Sequence, residues 1–161
     1  MTIDDLDSRL ILELRREPRL GMMELARRLG VARGTATARL DKLRASGVIT
    51  GFGPDLGLAA LGYPVTAFTT LEVTQGRTEG LLAHLSAIAE VLEVHSIAGQ
   101  GDLMIRVVAR SNEHLFDVLA RVLAGPEIGR TSTAIALAEH IPFRTDPLVA
   151  GIAAQRLPRS S

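Results

Sequence analysis

Cysteine is absent from the 161-residue chain, which excludes disulfides, thiolate metal sites and cysteine nucleophiles together. Long apolar runs are also missing: unbroken stretches last only a few residues, too short for a helix to cross a bilayer. No membrane partner is therefore expected. The opening MTIDDLDSRL carries acids where an export signal needs positive charge and then an apolar stretch, so a cytoplasmic location is expected. Catalytic signatures are lacking as well. There is no Gly-x-Ser-x-Gly elbow, no phosphate-cradling loop with Lys and no nucleotide fingerprint. His84, His95, His114 and His140 are scattered without metal-ligand spacing, and each reads as a partly buried or surface histidine. Gln100-Gly101-Asp102 is not followed by a helix whose dipole would hold a phosphate. Neither an enzyme nor a cofactor or metal site is expected.

What is present is ordinary globular composition, 47% apolar and 22% charged, which argues against disorder. The formal net charge of zero hides an asymmetry. Residues 1–50 hold ten Arg/Lys against seven Asp/Glu, and residues 51–161 hold eight against eleven. Within 19–44 the count is seven basic (Arg19, Arg27, Arg28, Arg33, Arg39, Lys42, Arg44) against two acidic (Glu24, Asp41). Such a segment is either a solvated helical face or a surface for a polyanion.

The first fifty residues predict three helices. Ile3, Leu6, Leu10, Ile11 and Leu14 recur at helical spacing, with Asp5, Ser8, Arg9, Glu13 and Arg16 on the other face. Asp4 is a suitable N-cap, and Pro18 stops the helix near Glu17. A short helix over Met22–Leu29 turns Leu25, Ala26 and Leu29 inward and ends at Gly30. A third runs over Arg33–Ala45, with Ala36, Leu40 and Leu43 as its buried stripe and Gly47 as terminator. Its other side offers Arg33, Gly34, Thr37, Ala38 and Asp41, small or hydroxyl groups flanked by cations, which suits close approach in a major groove. Short helix, glycine turn and second helix make a helix-turn-helix, and Val48-Ile49-Thr50-Gly51-Phe52 alternates like a strand that would form a wing.

From Pro64 the period changes. Strands are expected over Val65–Val73, Val91–Ile97, Leu103–Val108 and Thr131–Ile141, the third apolar enough for burial on both faces. Helices are expected over Gly80–Ile88 (Leu81, Leu82, Leu85 and Ile88 inward) and Glu113–Leu123 (Leu115, Phe116, Leu119 and Leu123 inward). The order is βαββαβ, the ferredoxin-like split unit, and the fold class is α+β. Between the second and third strands, Gly99-Gln100-Gly101-Asp102 reads as a tight hairpin in which glycine supplies positive φ and Asp bonds the turn backbone.

The N-terminal pattern resembles the leucine-responsive/asparagine-regulator (Lrp/AsnC) family of prokaryotic transcription factors. The resemblance rests on Ile3-Asp4, Asp7, Leu10-Ile11, Leu14, Arg19, Glu24-Leu25-Ala26, Gly30-Val31, Arg39, Leu43 and Gly47–Phe52, continued by Leu61-Gly62 and Ala67-Phe68. It implies a winged helix-turn-helix DNA-binding domain at 1–50, a connecting strand at 51–64, an effector-binding and oligomerisation domain at 65–141, and a tail at 142–161 in which Val149–Leu157 suits a helix. Implied partners are double-stranded DNA, a small effector, commonly an amino acid, and further copies of the chain, as a homodimer and an octamer or other even-numbered oligomer in a nucleoid-associated setting. The implied DNA-contact residues are Arg33, Gly34, Thr35, Thr37, Ala38, Lys42 and Arg39, although Arg39 adjoins the buried stripe and is equally placed to pair with an acid such as Asp7. The implied effector loop is Gly99, Gln100, Gly101 and Asp102, its exposed amides for a carboxylate and Asp102 for an ammonium.

Two departures from the family pattern stand out. Ala32 occupies the usual Ser/Thr position at the start of the recognition helix, and Gly101 replaces a larger side chain before Asp102, which is expected to enlarge or loosen the pocket. The reading is a DNA-binding transcriptional regulator responding to a small effector. Its alternative is an amino-acid-sensing oligomeric interaction module without specific DNA binding, which would not require the face over Arg33–Lys42.

Overall fold

The computed structural model describes residues 3–74, 78–125 and 128–155. Elements follow in the order α1 (Asp5–Arg16), α2 (Met22–Leu29), α3 (Arg33–Ala45), β1 (Val65–Val73), α4 (Thr78–Ser86), β2 (Val91–Ser96), β3 (Leu103–Ala109), α5 (Asn112–Leu123), β4 (Ile128–Ile135) and α6 (Asp146–Gln155). The chain divides into two compact units. One comprises residues up to Pro54 together with those from Ile141 onward; the other is Asp55–His140.

In the first unit, α1 opens with a reciprocal capping box. The Asp4 carboxylate accepts from the Asp7 amide (2.9 Å) and the Asp7 carboxylate from the Asp4 amide (3.1 Å). Ile3, Leu10, Ile11 and Leu14 then meet Leu25, Leu29 and Leu43 in one apolar core. Ser8 departs from expectation: it is buried rather than on the polar face, and its hydroxyl donates to the Asp4 carbonyl at 2.9 Å. Gly30, at φ +69°, ends α2 in the left-handed conformation, so the chain can turn sharply into α3.

The expected wing strand over 48–52 and the connecting strand over 51–64 are not strands. Instead the amides of Val48 and Ile49 both donate to the Leu43 carbonyl (3.0 and 3.1 Å), folding the chain back on the end of α3. Beyond them Gly51, Gly53, Pro54 and Gly57 disfavour a ladder, and residues 58–62 form a turn. Phe52 lies beside Arg44, whose guanidinium carbon is 5.9 Å from the ring centroid.

The end of the chain completes this unit. The helix expected over Val149–Leu157 runs instead over Asp146–Gln155, starting earlier because the Thr145 carbonyl accepts from Leu148 and Val149 (3.0 and 3.2 Å); Leu157 lies outside the described residues. Val149 and Ile152 pack against the α1–α3 core, and Asp146 pairs with Arg15 of α1. Ile152 is half-buried, so Ile152→Ala should cost about 1 kcal/mol, below the usual range for a fully buried residue. Urea denaturation followed by helical circular dichroism measures this, and a null result would mean that α6 adds nothing to the unit.

The second unit is one antiparallel sheet in the order β2-β3-β1-β4. Along β1, Ala67, Thr69 and Leu71 are buried, and along β3 Leu103, Ile105, Val107 and Ala109. These positions alternate, so they share one face, which α4 covers with Leu81 and Leu85 and α5 with Leu115, Val118 and Val122. Phe116 is 75% exposed, contrary to expectation, and Leu82 and Leu123 are also exposed. The arc set by 115, 118, 119 and 122 leaves 116 and 123 outside it; apolar residues all round α5 concealed that arc. β3 is buried on both faces only in part, since Val108 is buried while Met104 and Arg106 stay half-exposed. β4 covers Ile128–Ile135 rather than Thr131–Ile141. Its last bond, Ala136 amide to Thr66 carbonyl (2.9 Å), falls where β1 begins, so the partner strand runs out and Leu137 is left exposed.

Candidate nucleic-acid interface and ligand pocket

α3 is anchored through fully buried Ala36 and Leu43 and half-buried Leu40. Its opposite side exposes Arg33, Gly34, Thr35, Thr37, Ala38, Asp41 and Lys42. Thr37 Oγ1 donates to the Arg33 carbonyl at 3.0 Å, so this hydroxyl is already engaged on its own helix. Ala32 sits at the N-cap with extended backbone and provides no side-chain cap.

Arg39 is the exception among the expected DNA contacts. Its guanidinium reaches across to α1 and bonds Asp4 and Asp7, the latter at 3.0 Å. The pairing raises the Arg39 pKa and holds the Asp4 carboxyl below its ordinary range. Of the two roles open from sequence, the structure uses Arg39 to clamp α3 to α1.

Two further cations of the basic segment are likewise engaged. Arg28 bonds Glu13 (3.0 Å), Glu17 (2.7 Å) and Glu24 (3.0 Å), and Arg27 grips Glu24 with two bonds of 2.7 and 2.6 Å. These guanidinium groups draw the Glu24 pKa down to about 2. The cations left on the exposed side of α3 and its flank are Arg33, Lys42 and Arg44.

In the second unit the loop Gly99–Asp102 joins β2 to β3. Gly99 and Gly101 have φ of +130° and +90°, so both need the freedom of glycine. Asp102 ties the loop to β1: its amide donates to the Leu71 carbonyl (2.8 Å), and its Oδ2 accepts from the Val73 amide (2.7 Å). The Asp102 amide is therefore not free for a ligand carboxylate. At Gly101 the loop runs close to β1. A Cβ there would lie 3.2 Å from the Leu71 carbonyl oxygen, so glycine permits close seating on β1.

The loop also forms the lip of an open pocket of about 640 Å³. β1 contributes Thr70, Glu72 and Val73 to the lining, and β4 contributes Arg130, Thr131 and Ser132. Sequence reasoning missed these residues. Their signal was the alternation along β1 and β4, where Thr70, Glu72, Arg130 and Ser132 fall opposite the core-facing positions, but it needed the β1–β4 pairing to be legible.

Three of the four histidines make local contacts, while His140 is exposed. His84 Nε2 lies 2.9 Å from the Arg121 carbonyl, His95 pairs with Glu93, and His114 Nδ1 accepts from the Arg110 amide at 3.1 Å. Among the described residues no group of three or more His, Cys, Asp or Glu is placed to hold a metal.

Comparison with known proteins bears on both units. The winged helix-turn-helix DNA-binding family matches residues 3–50, and the Lrp/AsnC ligand binding domain matches residues 66–145. The regulatory protein AsnC of Escherichia coli K12 is 33% identical over 141 residues, covering 86% of this chain and 93% of that protein. The chain belongs to the Lrp/AsnC family of transcriptional regulators. The transcriptional regulator FL11 of Pyrococcus abyssi is 29% identical over 87% of this chain and 93% of its own length. The solved structure of E. coli AsnC superposes with a TM-score of 0.83 at 31% identity, covering 91% of this chain and all of that one. A feast or famine regulatory protein of M. tuberculosis, solved in complex with L-methionine, gives a TM-score of 0.78 at 28% identity over 87% of this chain and 95% of that one. This Lrp/AsnC regulator thus carries a DNA-binding domain and a ligand-binding domain on an α+β fold.

Proposed function

We propose that this Lrp/AsnC regulator binds specific duplex DNA through Arg33, Gly34, Thr35, Thr37, Ala38 and Lys42, and that an amino acid bound beside Gly99, Gln100, Gly101 and Asp102 modulates that binding. The observation that carries the reading is the exposed face of α3, small residues between cations on a helix whose other side is fully anchored. That face also favours DNA binding over a pure interaction module, which has no use for it. No catalysis and no cofactor enter the proposal, and the setting is the prokaryotic cytoplasm beside the nucleoid.

The working species is a homodimer or a larger even-numbered assembly. Phe68 and Met104 lie on the sheet face opposite α4 and α5, Phe68 exposed and Met104 half-exposed, with no second layer over them among the described residues. Light scattering of the full chain at micromolar concentration should give an even multiple of its 17.2 kDa mass; a monomeric mass would sink this part. Selection of bound genomic fragments by the purified protein, with and without each common amino acid, tests the rest. Near-palindromic fragments whose recovery changes with at least one amino acid are expected. Failure to retain any duplex at low salt would end the DNA reading.

A further inference from the structure

We propose that the effector is a basic amino acid, with Glu72, Asp102 and Arg130 as the residues that select it; this rests on the amino-acid reading above and deepens it. Among the described lining residues Val73 supplies the one apolar side chain, and the remainder are charged, hydroxylic, amide or glycine. An aliphatic effector would gain little there, since it would desolvate carboxylates and hydroxyls without offering them partners. The charges of the lining narrow the class. Arg130 is the one cation of the described lining, while Glu72 and Asp102 are two anions. A bound zwitterion uses Arg130 for its carboxylate and one anion for its ammonium. The second anion is left for a cationic side chain. An acidic effector would instead place a second carboxylate among two others.

The lip is also preorganised for this task. Asp102 is held by its amide bond to Leu71 and by the Val73 amide on Oδ2, so its carboxylate stays fixed at the pocket edge. On the β4 side, Thr70 Oγ1 donates to the Ser132 carbonyl at 3.4 Å, linking the two strands beneath Glu72 and Arg130. The pocket volume of about 640 Å³ lies within the range of small-ligand sites and accommodates the stem of lysine or arginine.

Calorimetry on the full-length protein at low salt tests the assignment with lysine, arginine, leucine, methionine, aspartate and cadaverine as probes. Lysine or arginine should bind at least ~10-fold more tightly than leucine, methionine and aspartate, as expected for a charge-assisted contact. Glu72→Gln should erase that preference, and Arg130→Gln should remove the advantage of lysine over cadaverine, which lacks the carboxylate. Both positions are exposed, and thermal melts of the variants confirm folding. Binding of leucine or methionine as tight as that of lysine would overturn this proposal and leave the amino-acid reading standing. A lysine preference unaltered in both variants would overturn the assignment to these residues. Absence of heat for lysine and arginine would overturn this inference, and absence of heat when the titration is extended to all twenty common amino acids would overturn the amino-acid reading with it.

Discussion

Asp7→Ala should lower the unfolding free energy of the DNA-binding unit by about 3 kcal/mol. The Asp7 side chain is 1% exposed and accepts two bonds, one from Arg39 and one from the Asp4 amide. Truncation would leave Arg39 with Asp4 alone and the amide unpartnered, and removing one member of a buried pair costs about 3–5 kcal/mol. Arg39 remains 30% exposed, so water compensates in part and the lower end applies. Asp7→Asn keeps an acceptor for the Asp4 amide and should cost about half as much. The sign of the pH dependence follows from Asp4 and Glu24. Both carboxyls are depressed in the folded state, Asp4 by Arg39 and Glu24, to about 2, by Arg27 and Arg28. Their stabilisation is complete above the ordinary carboxylate range near pH 4 and is lost as pH falls through the folded values. Urea denaturation at pH 7 and pH 3 should therefore show the gap between wild type and Arg39→Ala narrowing in acid. A cost for Asp7→Ala within 0.5 kcal/mol of zero, below the scale of a single lost hydrogen bond, would show that the clamp does not hold α3.

Helix boundaries in this unit were legible because the chain punctuates them. Pro18, Gly30 and Gly47 act locally, and α1, α2 and α3 end where those residues require. The strand expected over 48–52 failed because alternation describes a strand only when another strand is there to pair with it. The amides of Val48 and Ile49 found the Leu43 carbonyl instead. Arg39 shows the same dependence on a distant partner. Its spacing on α3 fits a groove contact or a clamp, and the choice was made by the capping box of α1, 35 residues earlier. The loop Gly99–Asp102 could be picked out from sequence, whereas the pocket it borders was not legible. One wall of that pocket, Arg130, Thr131 and Ser132, comes from β4, which reaches β1 by a pairing that no local pattern encodes. The docking of α6 against α1 is equally non-local, joining Asp146 to Arg15 across the whole second unit.

DNA affinity should fall by roughly three orders of magnitude between 50 and 200 mM salt, and the slope should identify the contact residues. Each chain leaves Arg33, Lys42 and Arg44 on or beside the exposed side of α3, so the proposed dimer would present about six cations to phosphate and base edges. Six neutralised phosphates correspond to a slope of about −5 in log affinity against log salt. Lys42→Ala removes one per protomer and should flatten the slope by about 2, while weakening all sequences alike. Arg33→Ala should flatten it similarly if Arg33 meets phosphate. If Arg33 instead reads a guanine, the variant should relax preference at one position per half-site at about 1–3 kcal/mol. Arg27→Ala supplies the contrast. Its guanidinium is exposed but spent on Glu24 through two short bonds, so its loss should leave the slope unchanged. Fluorescence anisotropy on a selected site at three salt concentrations separates these cases. If Lys42→Ala and Arg33→Ala both keep the wild-type slope, the DNA contact lies off this face of α3. If Arg27→Ala flattens the slope as they do, its bond to Glu24 gives way to phosphate on binding, and the pairing seen in the free protein does not set which cations reach DNA.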